Sequence, residues 1–136
     1  MPKIFTSKTQ KIGELGENIA VKFLMKQGFK VLDRNYTKKW GEIDIVAEKE
    51  GKIHFIEVKS VSRFDLGNVS SETTDQYQAE DNMHPWKQKR LSRTIQTYLM
   101  SHNVPEDKEW QVDLLIVFLS LKDRKARVKV VKDLIL

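Results

Sequence analysis

The 136-residue chain contains no cysteine, which excludes disulfides, thiolate zinc sites, iron–sulfur clusters and cysteine nucleophiles together. Histidine is scarce too, and His54, His84 and His102 do not share a metal-ligand spacing. No apolar stretch approaches the roughly 18 residues of a membrane span, and the opening MPKIFTSKTQK lacks the apolar core of a signal peptide. Internal repeats, coiled-coil heptads and Gly-rich phosphate loops are missing as well. The expectation is a soluble cytoplasmic protein with no membrane partner. At this length it is one domain, able to bury one substantial core and too short for two. What is present is charge: 24 Lys+Arg against 19 Asp+Glu give a net +5 and a pI near 9.4. That surplus favours a polyanionic partner, and makes nucleic acid the first to test.

Apolar periodicity sets the order of elements. From about Lys8 to Gln27, Ile12, Leu15, Ile19, Ala20, Phe23 and Leu24 recur at three- and four-residue steps and Gly28 follows, which predicts an amphipathic helix with a glycine stop. Gly13 and Gly16 lie near the edge of its stripe and would allow close approach to a neighbour. Glu14 falls on the opposite side, whereas Glu17 falls on the edge of the stripe beside Ala20 and Leu24, where it either looks towards a sheet or is an ordinary boundary glutamate. Phe29–Tyr36 reads as a strand, Thr37–Lys39 as a loop, and Trp40–Lys59 as two strands joined by the polar turn Glu48–Lys52, with Gly51 able to take positive φ. Ser60 to His84 is polar and without period, and is expected to be a long loop. Pro85 opens a second helix with Trp86, Leu91, Ile95, Tyr98 and Leu99 on its apolar side. Trp110–Ser120 has the length and branching of a buried strand, and Ala126–Val131 suits an edge strand guarded by lysines. The class is α/β, in the order αβββαββ.

Three charges interrupt the apolar hairpin. Glu57 and Lys59 are two residues apart and share a face. Asp44, on the antiparallel partner, falls within a residue or two of the position opposite Glu57. A charge among large aliphatics costs several kcal/mol unless something offsets it. Two readings stand side by side. A cross-strand salt bridge on a solvated face needs no ligand. Alternatively, paired carboxylates with an open side suit a hard divalent cation such as Mg²⁺, beside which a lysine can orient water or offset charge on a phosphoryl group.

The second helix adds a basic cluster. Lys87, Lys89, Arg90 and Arg93 crowd its first two turns, where the helix dipole prefers anions. They suit an arriving phosphate, or form a solvated face. Gln88 falls on the wheel between Leu91, Ile95 and Leu99, so its amide points with the apolar face. Lys122–Lys129 forms a second basic cluster.

Taken in order, Gly13-Glu14-x-Gly16-Glu17-x-x-Ala20, Gly28-Phe29, Arg34-Asn35-Tyr36, Gly41-Glu42-Ile43-Asp44, Glu57-Val58-Lys59 and Lys87-Gln88-x-Arg90-Leu91 resemble the motifs of the YraN-type (UPF0102-like) family of predicted endonucleases. These are relatives of archaeal Holliday-junction resolvases within the PD-(D/E)XK superfamily. The resemblance spans residues from about 11 to 119. It implies a restriction-endonuclease-like three-layer fold, a central mixed sheet flanked by helices. It also implies Mg²⁺-dependent phosphodiester hydrolysis, with Mn²⁺ as a substitute, on branched or otherwise non-canonical DNA. Site roles follow for Asp44, Glu57 and Lys59, with the Val58 backbone carbonyl beside the ion, Glu17 as a helix-borne acid and Gln88 facing the site. Independently of the resemblance, Lys87, Lys89, Arg90 and Arg93 at the N-terminus of the second helix would grip DNA through phosphate, and a homodimer is the candidate assembly. The chain departs from the family pattern at three places: Ser60-Val61-Ser62-Arg63 replaces an arginine soon after the lysine, the loop from about Asn68 to Gln78 is longer, and Gln111-Val112-Asp113 stands where Arg-Phe-Asp is common. The same fold could instead serve as a non-catalytic nucleic-acid-binding module, or as an interaction domain for a repair protein.

Overall fold

The computed structural model describes residues 8–63 and 85–136. Helix α1 (Lys8–Lys26) is followed by strands β1 (Lys30–Lys38), β2 (Gly41–Lys49) and β3 (Lys52–Arg63), helix α2 (Pro85–Ser101), and strands β4 (Trp110–Ser120) and β5 (Lys125–Val131). The order αβββαββ is the one read from the sequence. The five strands form one sheet in the order β1-β2-β3-β4-β5. β3 and β4 are parallel and the other neighbours antiparallel, so the sheet is mixed. Among the described residues no helix is long and apolar enough to cross a membrane.

The alternation of apolar residues along the strands divides the core between two faces. Ala20 and Leu24 of α1 cover Ile45, Ala47, Ile56, Leu115, Val117 and Leu119 on one face. Leu91, Ile95 and Tyr98 of α2 cover Ile43, Val46, Phe55 and Val112 on the other. Each of the larger aliphatic and aromatic side chains removed from water contributes about 1.5–3 kcal/mol, which fixes which face of each strand meets which helix. The result is three layers, with the sheet between the helices.

Local chemistry sets the boundaries. The Phe29 N–H bonds the Leu24 carbonyl and the Gly28 N–H that of Met25, the double bond of a Schellman motif, with Gly28 at φ 92°. The β2–β3 turn is only Glu50-Gly51, both at positive φ, because Lys49 still pairs with Lys52; this is the type I′ pattern that matches strand twist. β1 likewise runs on to Lys38, which pairs with Gly41, so the expected Thr37–Lys39 loop shrinks to Lys39-Trp40. Ser60–Arg63, expected to begin a loop, continues β3 and pairs with Val117–Ser120. A strand with an apolar neighbour to pair with needs no apolar side chains of its own. The rest of that expected loop, residues 64–84, lies outside the described residues.

Of the two glycines expected to bring α1 close to a neighbour, one does so. A Cβ on Gly16 would overlap the Ser60 hydroxyl and stand 3.0 Å from the Ser60 Cβ, whereas one on Gly13 would meet nothing within 4 Å. Leu15, placed on the apolar stripe, is 42% exposed, and Trp86, placed on the apolar side of α2, is 56% exposed.

Candidate active site

The site begins where β2 and β3 part. Their pairing runs from Lys49↔Lys52 to Ile45↔Ile56 and stops there; one step further, Asp44 and Glu57 occupy facing positions. Instead of a β2 carbonyl, the Val58 N–H meets the Asp44 carboxylate, Oδ2 accepting at 2.8 Å. Asp44 therefore fills the fork between the strands and is buried.

The fork has a cause in β1 and β2. Residues two apart on a straight strand share a face, yet Ile43 packs in the α2-side core and Ile45 in the α1-side core. On β1, Arg34 bonds Asn18 of α1 through Nη2 at 2.9 Å, while Tyr36 packs edge-on to Tyr98 of α2. Arg34 pairs with Ile45 and Tyr36 with Ile43, so both strands turn over at the level of Asn35 and Asp44. Asn35 takes φ 53° there, a conformation that Asn tolerates better than most residues. This gives a physical role to the central residue of the Arg34-Asn35-Tyr36 motif, which no pattern rule had assigned.

Burial is the largest influence on the Asp44 carboxyl and raises it well above the usual carboxylate range. The negative charges of Glu57, Glu17 and Glu42 push it the same way, against the Val58 N–H, which lowers it. Glu17 is buried and Glu14 exposed, as their positions on the helical wheel indicate. Glu42, part of the motif before Asp44 but given no role from sequence, joins the acidic group.

Glu57 faces the α2 layer. Lys87 Nζ stands 2.9 Å from Glu57 Oε1, so the first-turn lysine, placed by its sequence position among cations gripping DNA, is directed at the sheet carboxylate. The two line a cleft of about 300 Å³ with Gly41, Glu42, Trp86, Arg90 and Leu91. Gln88 is half-buried but absent from that lining. Lys59 lies two residues beyond Glu57 on the same face of β3 and is exposed. Lys89, Arg90 and Arg93 are exposed along α2.

A second polar group lies on the α1 face. His54 Nδ1 and Asp113 Oδ2 are 2.7 Å apart, and Asp113 Oδ1 accepts from Gln111 Nε2 at 2.7 Å and from the Asp133 N–H at 3.0 Å. Gln111 thus binds the buried aspartate, and Asp113 is occupied in tying strands and C-terminal segment together. The cavity beside it, about 540 Å³, is floored by Phe23, Leu24, Phe29 and Ile56.

Among the described residues, no three His, Asp or Glu side chains converge closely enough to hold an ion as they stand. The donors present are nevertheless hard carboxylate oxygens, one of them buried among like charges. A cation would relieve that arrangement, so the chemistry of the set fits a hard divalent ion.

These features define the class, a three-layer α/β domain with an acidic fork at the end of a split hairpin. Residues 16–130 match the family described as "Uncharacterised protein family UPF0102", and the chain belongs to that family. A UPF0102 protein of Campylobacter jejuni strain 81-176 is 37% identical over 105 residues, 77% of this chain and 81% of the relative. One from Campylobacter fetus is 36% identical over 105 residues, with 77% and 81% covered. A third, from Roseiflexus castenholzii, is 27% identical over 124 residues, with 91% and 92% covered.

Proposed function

We propose that the chain is a metal-dependent DNA endonuclease of the PD-(D/E)XK, restriction-endonuclease-like class, akin to Holliday-junction resolvases and acting on branched or otherwise non-canonical DNA. The observation that supports this best is the buried Asp44 carboxylate in the β2–β3 fork, raised by burial and by the charges of Glu57, Glu17 and Glu42. A fold that needed only a salt bridge would not gather three acids around a buried fourth.

Asp44, Glu57 and the Val58 carbonyl would hold a divalent cation, with Glu17 behind them. When bound, Mg²⁺ or Mn²⁺ supplies Lewis acidity towards phosphoryl oxygen. The chain's own residues do the rest. The Val58 N–H fixes the orientation of Asp44. Lys59, exposed beside Glu57, orients the attacking water or offsets charge on the phosphorane oxygens, which form only in the transition state. Lys87 and Arg90 at the cleft meet the phosphate backbone near the N-terminus of α2, where the helix dipole also attracts anions. A phosphate engaging Lys87 would release Glu57 from its ion pair.

That ion pair favours one other reading, a nucleic-acid-binding module in which Lys87 permanently neutralises Glu57. Incubation with Mg²⁺ and a panel of duplex, single-stranded, flap and four-way DNAs separates the two. The nuclease reading expects cleavage by the wild type and none by Asp44→Ala or Glu57→Ala. It also expects Lys59→Ala to slow cleavage by orders of magnitude at nearly unchanged DNA affinity. Binding of these DNAs without cleavage of any would establish the module instead.

A further inference from the structure

Two tryptophans lie along the first turns of α2, each with an arginine over its ring; Trp86 lines the acidic cleft, and Trp40, half-buried, lies outside that lining. Arg90 Cζ is 4.7 Å from the centre of the Trp86 ring, and Arg93 Cζ is 4.1 Å from that of Trp40. Trp86 lines the cleft with Glu57 and Glu42 and is 56% exposed. Trp40 belongs to the β1–β2 turn, which is seated on α2: a Cβ on the adjacent Gly41 would stand 2.7 Å from Thr94 Oγ1 and 3.3 Å from the Arg90 carbonyl oxygen. Only a glycine permits that approach, and it holds Trp40 beside Arg93. Arg90 and Arg93 are three residues apart on one helix, a rise of about 4.5 Å.

An exposed tryptophan is a poor component of a surface that meets only water. A ring with a cation over it, beside an acidic cleft on a basic helix, offers what an unpaired nucleotide presents: a flat π-face to stack on and a phosphate to neutralise. Continuous duplex offers the phosphates but hides its base faces in the stack. We propose that Trp86–Arg90 forms a stacking platform for unpaired nucleotides at the mouth of the cleft, with the half-buried Trp40–Arg93 pair buttressing it along α2. The DNA brought to Asp44, Glu57 and Lys59 is then single-stranded at the point of attack, as in flaps, gaps and splayed branch ends. This assignment of substrate rests on the nuclease reading, although the platform binds without turnover.

The test uses the full chain in chelator, so that nothing is cleaved, with an oligothymidylate and a hairpin duplex as probes. Stacking quenches tryptophan emission, so the oligothymidylate should quench the wild type and lose most of that effect on Trp86→Ala. The same variant should bind oligothymidylate about 5- to 150-fold more weakly and duplex within about twofold of the wild type. Its salt dependence on the single strand should be unchanged, because no phosphate contact is removed. Trp86→Phe, which keeps a ring, should recover most of the affinity. An unquenched wild type, an equal loss on both probes, or no loss on the oligothymidylate would overturn the platform. Failure of the nuclease reading appears separately, as an absence of Mg²⁺-dependent cleavage of any DNA by a protein that still binds and is still quenched.

Discussion

Gly16→Ala is a small change with a calculable effect. Helix propensity alone favours alanine by about 1 kcal/mol. The new methyl, however, would overlap the Ser60 hydroxyl and stand 3.0 Å from the Ser60 Cβ, against 3.4–4 Å for ordinary contact. Rotating the hydroxyl away relieves the first overlap and leaves the second, so α1 must lift from β3. Overpacking of this kind costs about 1–3 kcal/mol, and the net loss should be about 0–2 kcal/mol. Ser60→Gly removes the obstacle at a cost of about 0.5–1 kcal/mol for glycine in a strand. In that background Gly16→Ala should stabilise by up to about 1 kcal/mol. The measurement is a double-mutant cycle by urea denaturation, with a coupling energy of about 1–3 kcal/mol expected. Effects that add within about 0.5 kcal/mol would show that the helix does not rest on Ser60, and would refute the reasoning. On the proposed nuclease reading, the single variant should also slow cleavage, since Glu17, the next residue, moves with the helix.

Two further outcomes follow from the electrostatics. Because the Asp44 carboxyl is raised in the folded state, folding retains a proton that the unfolded chain loses. The wild type should therefore lose stability as pH rises from the ordinary carboxylate range, near 3.9, through the raised folded value. Asp44→Asn keeps an acceptor for Val58 and removes the charge; it should be more stable than the wild type at pH 7.5, with the gain fading towards pH 4, and urea titrations at the two pH values measure this. A constant gain would mean that Asp44 is not the group responsible. Lys87→Met frees Glu57 from its ion pair, so if Glu57 holds the ion as proposed, Mg²⁺ should raise the melting temperature of this variant at lower concentration than that of the wild type. An unchanged concentration dependence would separate Lys87 from the ion site.

Much of this architecture is legible in the residues. Period-3.6 patterns and apolar runs locate both helices and all five strands, Gly28 and Gly51 mark two of the positions that take positive φ, and twelve intervening residues bring Asp44 level with Glu57. Four features escape for physical reasons. Alternation assumes a straight strand, so the turning over of β1 and β2 at Asn35 and Asp44 is invisible to it. A helical wheel gives direction but not reach: Trp86 points with the apolar side yet lies in the first turn, at the mouth of the cleft, and is left exposed. The same limit conceals Lys87, whose flexible stem turns from the expected phosphate face to Glu57. Ser60–Arg63 looks like loop because its pairing energy comes from the backbone of β4, not from its own side chains.

The turning over of β2 bears on how the site tolerates force and change. Ile43 and Ile45 are anchored in opposite layers, so the residue between them is gripped from both sides of the sheet. Asp44 cannot slide along its strand, or rotate about it, without pulling a buried isoleucine out of one layer or the other. The position of the carboxylate is thus a property of the whole domain's packing, and loosening either helix layer would be felt first at the fork.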